Sequence, residues 1–387
     1  MMPNSPPLSR VTRAPIIGIS AIRSGAGPDG IGIYTEALFA HLAEWGVTPR
    51  RVASPSPGRF HRAKIFRSDL RFDVPLPLAI SFGAIAHVRT FGSARVERAI
   101  DLYHSTNYMV PRLARTPVVA TVYDAIPLAH PEWANLRLRR LKNWLLPQSV
   151  RNADLVIAIS EAAREEIIGY YRVQPDRTRV IPLGIDESWF EPQDAAATAR
   201  ILEKRNLDRG YFLFVGTLQP RKNIGMLLDA YERLAPRVRD ERQLVIVGKY
   251  GWNASAVRMR LERAQSLGRC VWLNYVPRDE LRHLYSGAGA FVFPSLAEGF
   301  GLPVLEALAT GLPIIASDLP ALREVGAAHA IYVRPDDSAA LTDAMMAIGA
   351  ADTVEQSSAE RRAHARRFSW AACAARTVAV YRELLTR

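Results

Sequence analysis

Short, almost wholly apolar runs recur along both halves of the chain, and each is followed by a turn and a segment with helical periodicity. Such runs predict strands that are buried on both faces, as in a parallel sheet covered by helices. Strands that alternate with helices require right-handed crossovers, so the sequence predicts an α/β fold with two Rossmann-like halves. The runs comprise residues 14–20, 102–104, 117–124 and 153–160 in the first half, and 211–216, 243–248, 271–274, 290–293, 313–316 and 330–333 in the second. Ser160, at the end of one of these runs, is predicted to cap the helix that follows it.

The length of 387 residues is sufficient for two domains that each bury a core. The composition loosens over residues 187–207, which we interpret as the passage between the domains. We predict an N-terminal domain over residues 1–190, a C-terminal domain over 191–366, and a terminal helix over 367–387 that packs back toward the first domain. Ligands of such a protein bind in the cleft between the halves, at the carboxyl ends of both sheets.

The composition indicates a globular protein of a reducing compartment. Hydrophobic residues make up 49% of the chain, and the two cysteines, Cys270 and Cys373, are too few for a disulfide framework or a zinc site. The sequence shows no secretory signal and no apolar window of about 18 residues, the length of a membrane-spanning helix. We therefore expect a cytoplasmic protein.

Positive charge is concentrated in the first half of the chain. The net charge is +12, and residues 1–186 contribute +9 of it from 24 basic and 15 acidic residues. Basic and aromatic residues interleave over residues 59–67 and 137–144, which fits contact with anionic lipid, with an acidic acceptor or with nucleic acid. A solvated, arginine-rich helix fits the same pattern. Nucleic acid is the weakest of these partners, because the sequence contains no recognition motif for it.

Residues 291–306, FVFPSLAEGFGLPVLE, predict a strand, a glycine-rich turn and a helix start. The helix is expected to begin near Leu302, since Pro303 suits a first helical turn. Gly299 and Gly301 let the backbone approach a ligand, with N–H groups at the positive end of the helix directed toward it. This arrangement is a cradle for a phosphate, although a purely structural turn in a doubly wound sheet has the same residue types.

Charged residues near this turn complete the pattern of a sugar-nucleotide site. Glu298 and Glu306 stand on either side of the cradle, where they could hold hydroxyl groups. Arg221 and Lys222 follow another predicted strand, so they could bind a diphosphate and neutralise the charge of a departing nucleoside diphosphate. The alternative is that Arg221 and Lys222 are solvated loop cations.

A second glycine-rich segment, residues 25–32, is predicted to form a loop that leads into a helix over residues 34–45. Its spacing differs from that of the dinucleotide-binding fingerprint. A hydride-transfer enzyme is therefore disfavoured.

Four segments resemble the motifs of family-4 retaining glycosyltransferases, particularly the bacterial mannosyltransferase-like members that build O-antigen and other surface polysaccharides. They are residues 215–223 (VGTLQPRKN), 247–252 (VGKYGW), 293–306 and 317–325 (SDLPALREV). The resemblance covers nearly the whole chain. It implies the GT-B fold, in which two Rossmann-like domains with parallel sheets face a central cleft. The N-terminal domain would lie on the acceptor side, and the C-terminal domain would bind the nucleotide sugar.

The resemblance also implies roles for individual residues. Lys222, assisted by Arg221, would bind the donor diphosphate. Glu298 would hold sugar hydroxyls and Glu306 the nucleotide ribose. The remaining donor contacts would come from Gly30, Gly32, Gly216, Thr217, Gly299, Phe300, Gly301 and Leu302. No metal and no nucleophilic side chain are expected, since the sequence has no Asp-x-Asp motif and the leaving phosphate oxygen takes the acceptor's proton in this family.

Asp124 is assigned to the catalytic centre through the family's His-Asp dipeptide, but Tyr123 stands here in place of the histidine. The family's histidine lies near the transferred sugar and the acceptor. A tyrosine can donate a hydrogen bond, yet it does not act as a base at neutral pH. His104 and His130 are candidates to compensate, although a lone histidine more often has a structural role.

These observations predict a transferase that moves a hexose, best assigned as mannose from GDP-mannose, to a lipid-linked or polysaccharide acceptor. No cofactor other than the donor is expected, and the basic first half fits peripheral association with the inner membrane surface. Two alternatives stay open: a sugar-nucleotide epimerase on the same fold, and a non-catalytic sugar-nucleotide-binding subunit, which the tyrosine at position 123 favours.

Overall fold

The structure is a computed structural model, and it describes residues 13–21, 30–55, 68–86, 89–133, 139–251, 255–349 and 355–386. The strands are β1 (Ile16–Ser20), β2 (Thr48–Ala53), β3 (Leu70–Arg71), β4 (Leu102–Ser105), β5 (Val118–Val122), β6 (Leu155–Ala158), β7 (Thr178–Val180), β8 (Phe212–Val215), β9 (Leu244–Val247), β10 (Val271–Leu273), β11 (Ala290–Phe293), β12 (Ile314–Ser317) and β13 (Ile331–Val333). They form two parallel sheets, which confirms the predicted fold class. One sheet has the order β3-β2-β1-β4-β5-β6-β7 and the other β10-β9-β8-β11-β12-β13.

Helices lie in most of the connections between successive strands, although the connection from β4 to β5 contains none. They are α1 (Gly30–His41), α2 (Leu76–Ala86), α3 (Ala94–Glu97), α4 (Ile126–Ala129), α5 (Arg139–Val150), α6 (Glu161–Glu166), α7 (Ala195–Lys204), α8 (Ile224–Arg233), α9 (Pro236–Glu241), α10 (Ser255–Ser266), α11 (Arg278–Gly287), α12 (Leu302–Thr310), α13 (Pro320–Gly326), α14 (Ser338–Gly349), α15 (Glu355–Ala365) and α16 (Trp370–Leu385). No helix in the described part of the chain combines the length and the hydropathy needed to cross a bilayer.

Contacts within the chain divide it into two compact units. The first comprises residues 1–120, 152–155 and 374–387, and the second comprises residues 121–151 and 156–373. In the first unit, the fully buried His104 of β4 shares a hydrogen bond of 2.7 Å with the Tyr381 hydroxyl of α16. This bond fixes the last helix to the sheet and gives His104 a structural role. The domain boundary at residue 190 stays a prediction.

In the second unit, the six-stranded sheet carries an aromatic core. Phe212 and Phe214 of β8 and Phe291 and Phe293 of β11 are fully buried, and the rings of Phe214 and Phe293 stack at 5.9 Å. Because β8 and β11 are parallel neighbours, their carboxyl ends lie side by side. The turns that follow these two strands are therefore adjacent, although they are far apart in sequence.

The structure corrects the prediction for the first glycine-rich segment. Gly30 and Gly32 lie in α1 rather than in a loop before a helix at residue 34. Residues 25–29 lie outside the described residues, as do the basic segment 59–67 and residues 137 and 138 of the other basic segment.

Candidate active site

The turn after β8 presents Lys222 to the interior of the second unit. Residues Pro220–Lys222 form one turn of 3₁₀-helix. Asn223 ends this turn with a φ of +54°, a left-handed conformation that asparagine tolerates well. The Asn223 side-chain amide donates to the Pro335 carbonyl at 2.9 Å. The Lys222 side chain is only 7% exposed, and its ammonium lies 4.4 Å from the centre of the Phe293 ring. Lys222 is therefore not a solvated loop cation.

Both predicted cations contact Glu298, which lies in the turn after β11. Lys222 Nζ donates to Glu298 Oε1 at 2.5 Å, and Arg221 Nη1 lies 3.0 Å from Glu298 Oε2. Arg221 also donates to the Ala297 carbonyl at 3.1 Å, and its own carbonyl accepts from the Leu296 amide at 2.7 Å. The structure thus brings together the cationic pair and the residue that precedes Gly299, as the sequence predicted.

Arg221, Lys222 and Glu298 together carry a net charge of +1 when all three are ionised, before the nearby carboxylate of Asp124 is counted. Burial and the neighbouring charge of Arg221 lower the pKa of Lys222 to about 8, although Glu298 favours the charged ammonium. Burial acts to raise the pKa of Glu298, but the charges of Arg221 and Lys222 and the hydrogen bond from Lys222 outweigh it and lower this pKa to about 2. At neutral pH Arg221, Lys222 and Glu298 are therefore all ionised.

The glycine turn leads directly into α12. Gly301 has a φ of +105°, which a residue with a side chain rarely adopts, and the helix begins at Leu302, as predicted. Phe300 is buried and packs edge-on against Phe368, with ring centres 6.0 Å apart. The Phe300 side chain is therefore part of the core, which leaves its backbone as the part that could contact a donor.

Gly299 is required by a close backbone approach. A Cβ atom added to Gly299 would lie 2.0 Å from the Tyr123 carbonyl oxygen and 3.2 Å from the Asp124 Cβ. Tyr123 and Asp124 follow β5, so this turn meets the glycine turn within the second unit. Asp124 is also close enough to Lys222 for its charge to favour the ionised ammonium. The structure therefore brings Asp124 to the predicted cluster.

Hydrogen bonds from two backbone amides fix the chain just after Asp124. Asp124 Oδ1 accepts from the Ile126 amide at 3.1 Å, and Glu166 accepts from the Ala125 amide at 2.9 Å. Burial raises the pKa of Glu166, and the charge of Asp124 acts in the same direction. His130 stacks on Trp133 with ring centres 4.0 Å apart. Tyr123 is buried, and its carbonyl contacts Gly299.

The remaining predicted donor contacts are distributed over both units. Gly216 follows β8, and a Cβ atom there would lie 3.5 Å from Lys222 Cε, so Gly216 borders the cluster. Thr217 is the next residue and is exposed. Gly30 and Gly32 belong to the first unit. Their assignment to the donor phosphates stays a prediction.

Glu306 lies one turn into α12 and is bonded to Tyr285 of α11. The Tyr285 hydroxyl donates to Glu306 Oε2 at 2.9 Å. Burial raises the pKa of Glu306 from its ordinary 4.5 to about 7, against the opposing effects of the Tyr285 hydrogen bond and the charge of Arg278. A carboxylate at this position is suited to accept hydrogen bonds from a diol such as a ribose.

We expect a Glu306→Gln variant to change the pH dependence of stability. Between pH 4.5 and 7 the Glu306 carboxyl is ionised in the unfolded chain but protonated in the folded protein, so its contribution to stability falls as pH rises through this window. Glutamine does not titrate. The Tm of wild type minus that of the variant should therefore decrease from pH 4.5 to pH 7 and then level off. A Glu241→Gln control, in an exposed pair with Arg237, should show no such trend; a pH-independent difference for Glu306→Gln would contradict the prediction.

Three residues of the site were not assigned to it from the sequence. Tyr285 was not recognised at all, because nothing in its local pattern indicates the contact with Glu306. Ser160 was predicted only as the cap of α6, and Glu324 was quoted only as part of a family motif. Ser160 contacts the Gly299 carbonyl, and Glu324 contacts the first amides of α6. Among the described residues, no group of three or more histidine, cysteine, aspartate or glutamate side chains is arranged to hold a metal ion.

Known proteins are similar to this chain in both sequence and fold. Residues 28–189 match Glycosyltransferase Family 4, and residues 198–363 match Glycosyl transferases group 1. O-antigen chain mannosyltransferase B of Escherichia coli is 32% identical over 311 residues, which are 80% of this chain and 81% of that protein. The serotype-specific mannosyltransferase WbdA of Escherichia coli is 28% identical over 363 residues, 88% of this chain but only 43% of WbdA. This chain therefore spans less than half the length of WbdA.

A solved structure has the same fold as this chain. Sucrose-phosphate synthase from Thermosynechococcus elongatus matches 96% of this chain and 99% of its own, with a TM-score of 0.75 at 22% identity. That likeness shows the fold alone. Together with the two family matches and the mannosyltransferase relative of Escherichia coli, it leads to one conclusion: the chain belongs to the family-4 glycosyltransferases and has the GT-B fold.

Proposed function

We propose that the protein is a retaining hexosyltransferase that moves mannose from GDP-mannose to a lipid-linked or polysaccharide acceptor in the synthesis of a cell-surface polysaccharide. The observation that carries the proposal is the contact of Arg221 and Lys222 with Glu298, one residue before the glycine turn. A relative that is 32% identical over most of this chain is named an O-antigen mannosyltransferase, which supports mannose and the acceptor class.

In the proposed reaction, the bond between the sugar C1 and the diphosphate oxygen breaks, and a bond from the acceptor oxygen to C1 forms on the same face. The acceptor's proton passes to the leaving phosphate oxygen, so atoms and charge balance without a nucleophilic side chain. Lys222 and Arg221 stabilise the negative charge that grows on the leaving diphosphate, and this interaction is strongest in the transition state. Asp124 lies beside Lys222, close to the place where the sugar would be transferred.

Donor binding would rearrange the charge cluster. A diphosphate carries the negative charge that Glu298 now supplies to both cations, so its arrival would free the Glu298 carboxylate to accept hydrogen bonds from sugar hydroxyls. The amides of Gly299 to Gly301 at the start of α12 would support the phosphates, and Glu306 would hold the ribose. The two cations thus take the role that a divalent ion has in transferases with an Asp-x-Asp site.

The experiment that tests the proposal is a donor and acceptor panel. We expect GDP-mannose to raise the Tm more than UDP-glucose or ADP-glucose does, because a ligand that binds only the folded state stabilises it. Mannose transfer to a lipid-linked acceptor in anionic vesicles should persist in excess EDTA and weaken as salt rises. NMR of the product should show the anomeric configuration of the donor. Transfer from another sugar nucleotide alone would overturn the donor assignment. An epimerised donor without any glycan product would overturn transfer itself.

A further inference from the structure

The hydroxyl of Ser160 joins the start of α6 to the glycine turn. Ser160 Oγ accepts from the Ala163 amide at 2.9 Å, which is the predicted cap, and it donates to the Gly299 carbonyl at 2.7 Å. Ser160 is almost fully buried. A cap of a helix requires only the accepted bond. The donated bond is therefore an additional interaction whose effect falls on Gly299.

Glu324 of α13 holds the same end of α6 from the other side. Its two carboxylate oxygens accept from the Glu161 amide at 2.8 Å and from the Ala162 amide at 2.7 Å. A carboxylate at the positive end of a helix is favourable, and these two amides have no partner within the helix. Ser160 and Glu324 together therefore fix the first turn of α6 against the elements that follow β11 and β12.

The Gly299 peptide is confined on two sides as a result. The Tyr123 carbonyl packs against its Cα, where a Cβ atom would approach to 2.0 Å, and the Ser160 hydroxyl holds its carbonyl. Glu298 precedes this peptide, and Gly301, two residues after Gly299, is the N-cap residue of α12. Rotation of the Gly299 peptide would move the Glu298 carboxylate and redirect the amides that form the cradle.

We propose that Ser160 and Glu324 are positioning residues for donor binding: the Ser160 hydroxyl, held in place by α6 and Glu324, sets the orientation of the Gly299 peptide. This inference rests on the proposed function of the turn. It goes beyond a capping role because it assigns the effect to the hydrogen that Ser160 donates, and it predicts a change in donor affinity rather than in stability alone.

Two substitutions of Ser160 separate positioning from capping. Threonine keeps a hydroxyl that can both accept and donate, whereas an ionised aspartate accepts from the Ala163 amide but cannot donate to the Gly299 carbonyl. Both are good caps. We expect Ser160→Asp to raise the donor KM and the Kd for the nucleoside diphosphate by about tenfold, the effect of leaving a buried acceptor without its partner. Ser160→Thr should stay within about twofold of wild type on the same grounds.

Glu324→Gln is the second variant, on an exposed side chain whose replacement leaves the core intact. Its neutral amide can accept from one of the two helix amides, so the donor KM should rise by about threefold. Asp194→Ala is the matched control, because Asp194 caps α7 in the same unit by accepting from the Ala197 amide at 2.7 Å and does not contact the turn. This control should lower the Tm without changing the donor KM.

The measurements are the donor KM, kcat, Tm and the calorimetric Kd for GDP, UDP and ADP with the full chain. Equal donor KM and Kd values for Ser160→Asp and wild type, with only the Tm lowered, would overturn the positioning role. Wild-type protein that binds a nucleoside diphosphate but shows no transfer would instead contradict the proposed function, and the Kd comparison would still decide the roles of Ser160 and Glu324.

Discussion

The Lys222→Met variant is expected to remain folded and to lose about 10²–10³-fold in kcat/KM for the donor, the loss typical of removing one group that stabilises transition-state charge. Methionine keeps most of the side-chain length and the contact with the Phe293 ring, so the change removes mainly the positive charge. Arg221 remains paired with Glu298 at 3.0 Å. The measurement is steady-state transfer, with circular dichroism and Tm to verify folding.

Two further variants make this result interpretable. Removing one partner of a buried ion pair can leave the other charge unpaired and destabilise the protein. If this is the cause, adding Glu298→Gln to Lys222→Met should restore the Tm, whereas the loss of transfer that follows from removing the catalytic cation should persist in the double variant. Arg237→Met, on an exposed cation of α9 in the same unit, should retain full activity. Transfer by Lys222→Met at the wild-type rate would refute the assignment of Lys222.

Gly299→Ala should lower kcat/KM for the donor by about 10²-fold, because a displacement of about 1 Å in a catalytic arrangement has an effect of this size. The added methyl would lie 2.0 Å from the Tyr123 carbonyl oxygen, which belongs to the backbone and cannot rotate away as a side chain would. The glycine turn or the turn after β5 must therefore shift, and Glu298 moves with it. We also expect a lower Tm, since neither turn can relax without losing contacts.

The control for this change is Gly169→Ala, a glycine of the same unit whose added Cβ atom would have no other atom within 4 Å. That variant should have wild-type kinetics. Comparison of donor KM and kcat for the two variants, each on protein verified as folded, provides the measurement. Wild-type kinetics in Gly299→Ala would show that the close approach of Tyr123 does not determine the geometry of the site.

Local patterns predicted most elements that build the site, because the information they require lies within a few residues. The apolar run of β11 and the helix start at Leu302 agree with the structure. So does the cap of α6 by Ser160. Each depends on periodicity, proline geometry or capping chemistry, which neighbouring residues determine.

Local sequence also explains why two features of the fold were not predicted. β2 was not predicted because it contains Pro49, Arg50 and Arg51, residue types that favour neither a strand interior nor burial, yet five of its six residues pair with β1. Pairing with a neighbouring strand outweighed local propensity at this place. The helical conformation of Gly30 and Gly32 was not predicted because glycine indicates a loop in most contexts.

Contacts between distant segments were beyond the reach of pattern analysis. The proximity of Lys222 and Glu298 follows from the adjacency of β8 and β11, which strand order determines and local sequence does not. The family resemblance supplied that pairing in advance. It did not supply the bond from Tyr285 to Glu306 or the bonds of Glu324 to α6.

The first unit is built from segments that are far apart in the chain, and this affects the order in which the protein can fold during translation. Domains emerging from the ribosome generally fold in order from the N-terminus. Here residues 374–387, which include most of α16, belong to the same unit as residues 1–120, so all of the second unit is translated before them. Until then His104 lacks the tyrosine that bonds it in the finished fold. The nascent chain thus reaches a stage at which the later unit can be complete while the earlier one still awaits its last helix.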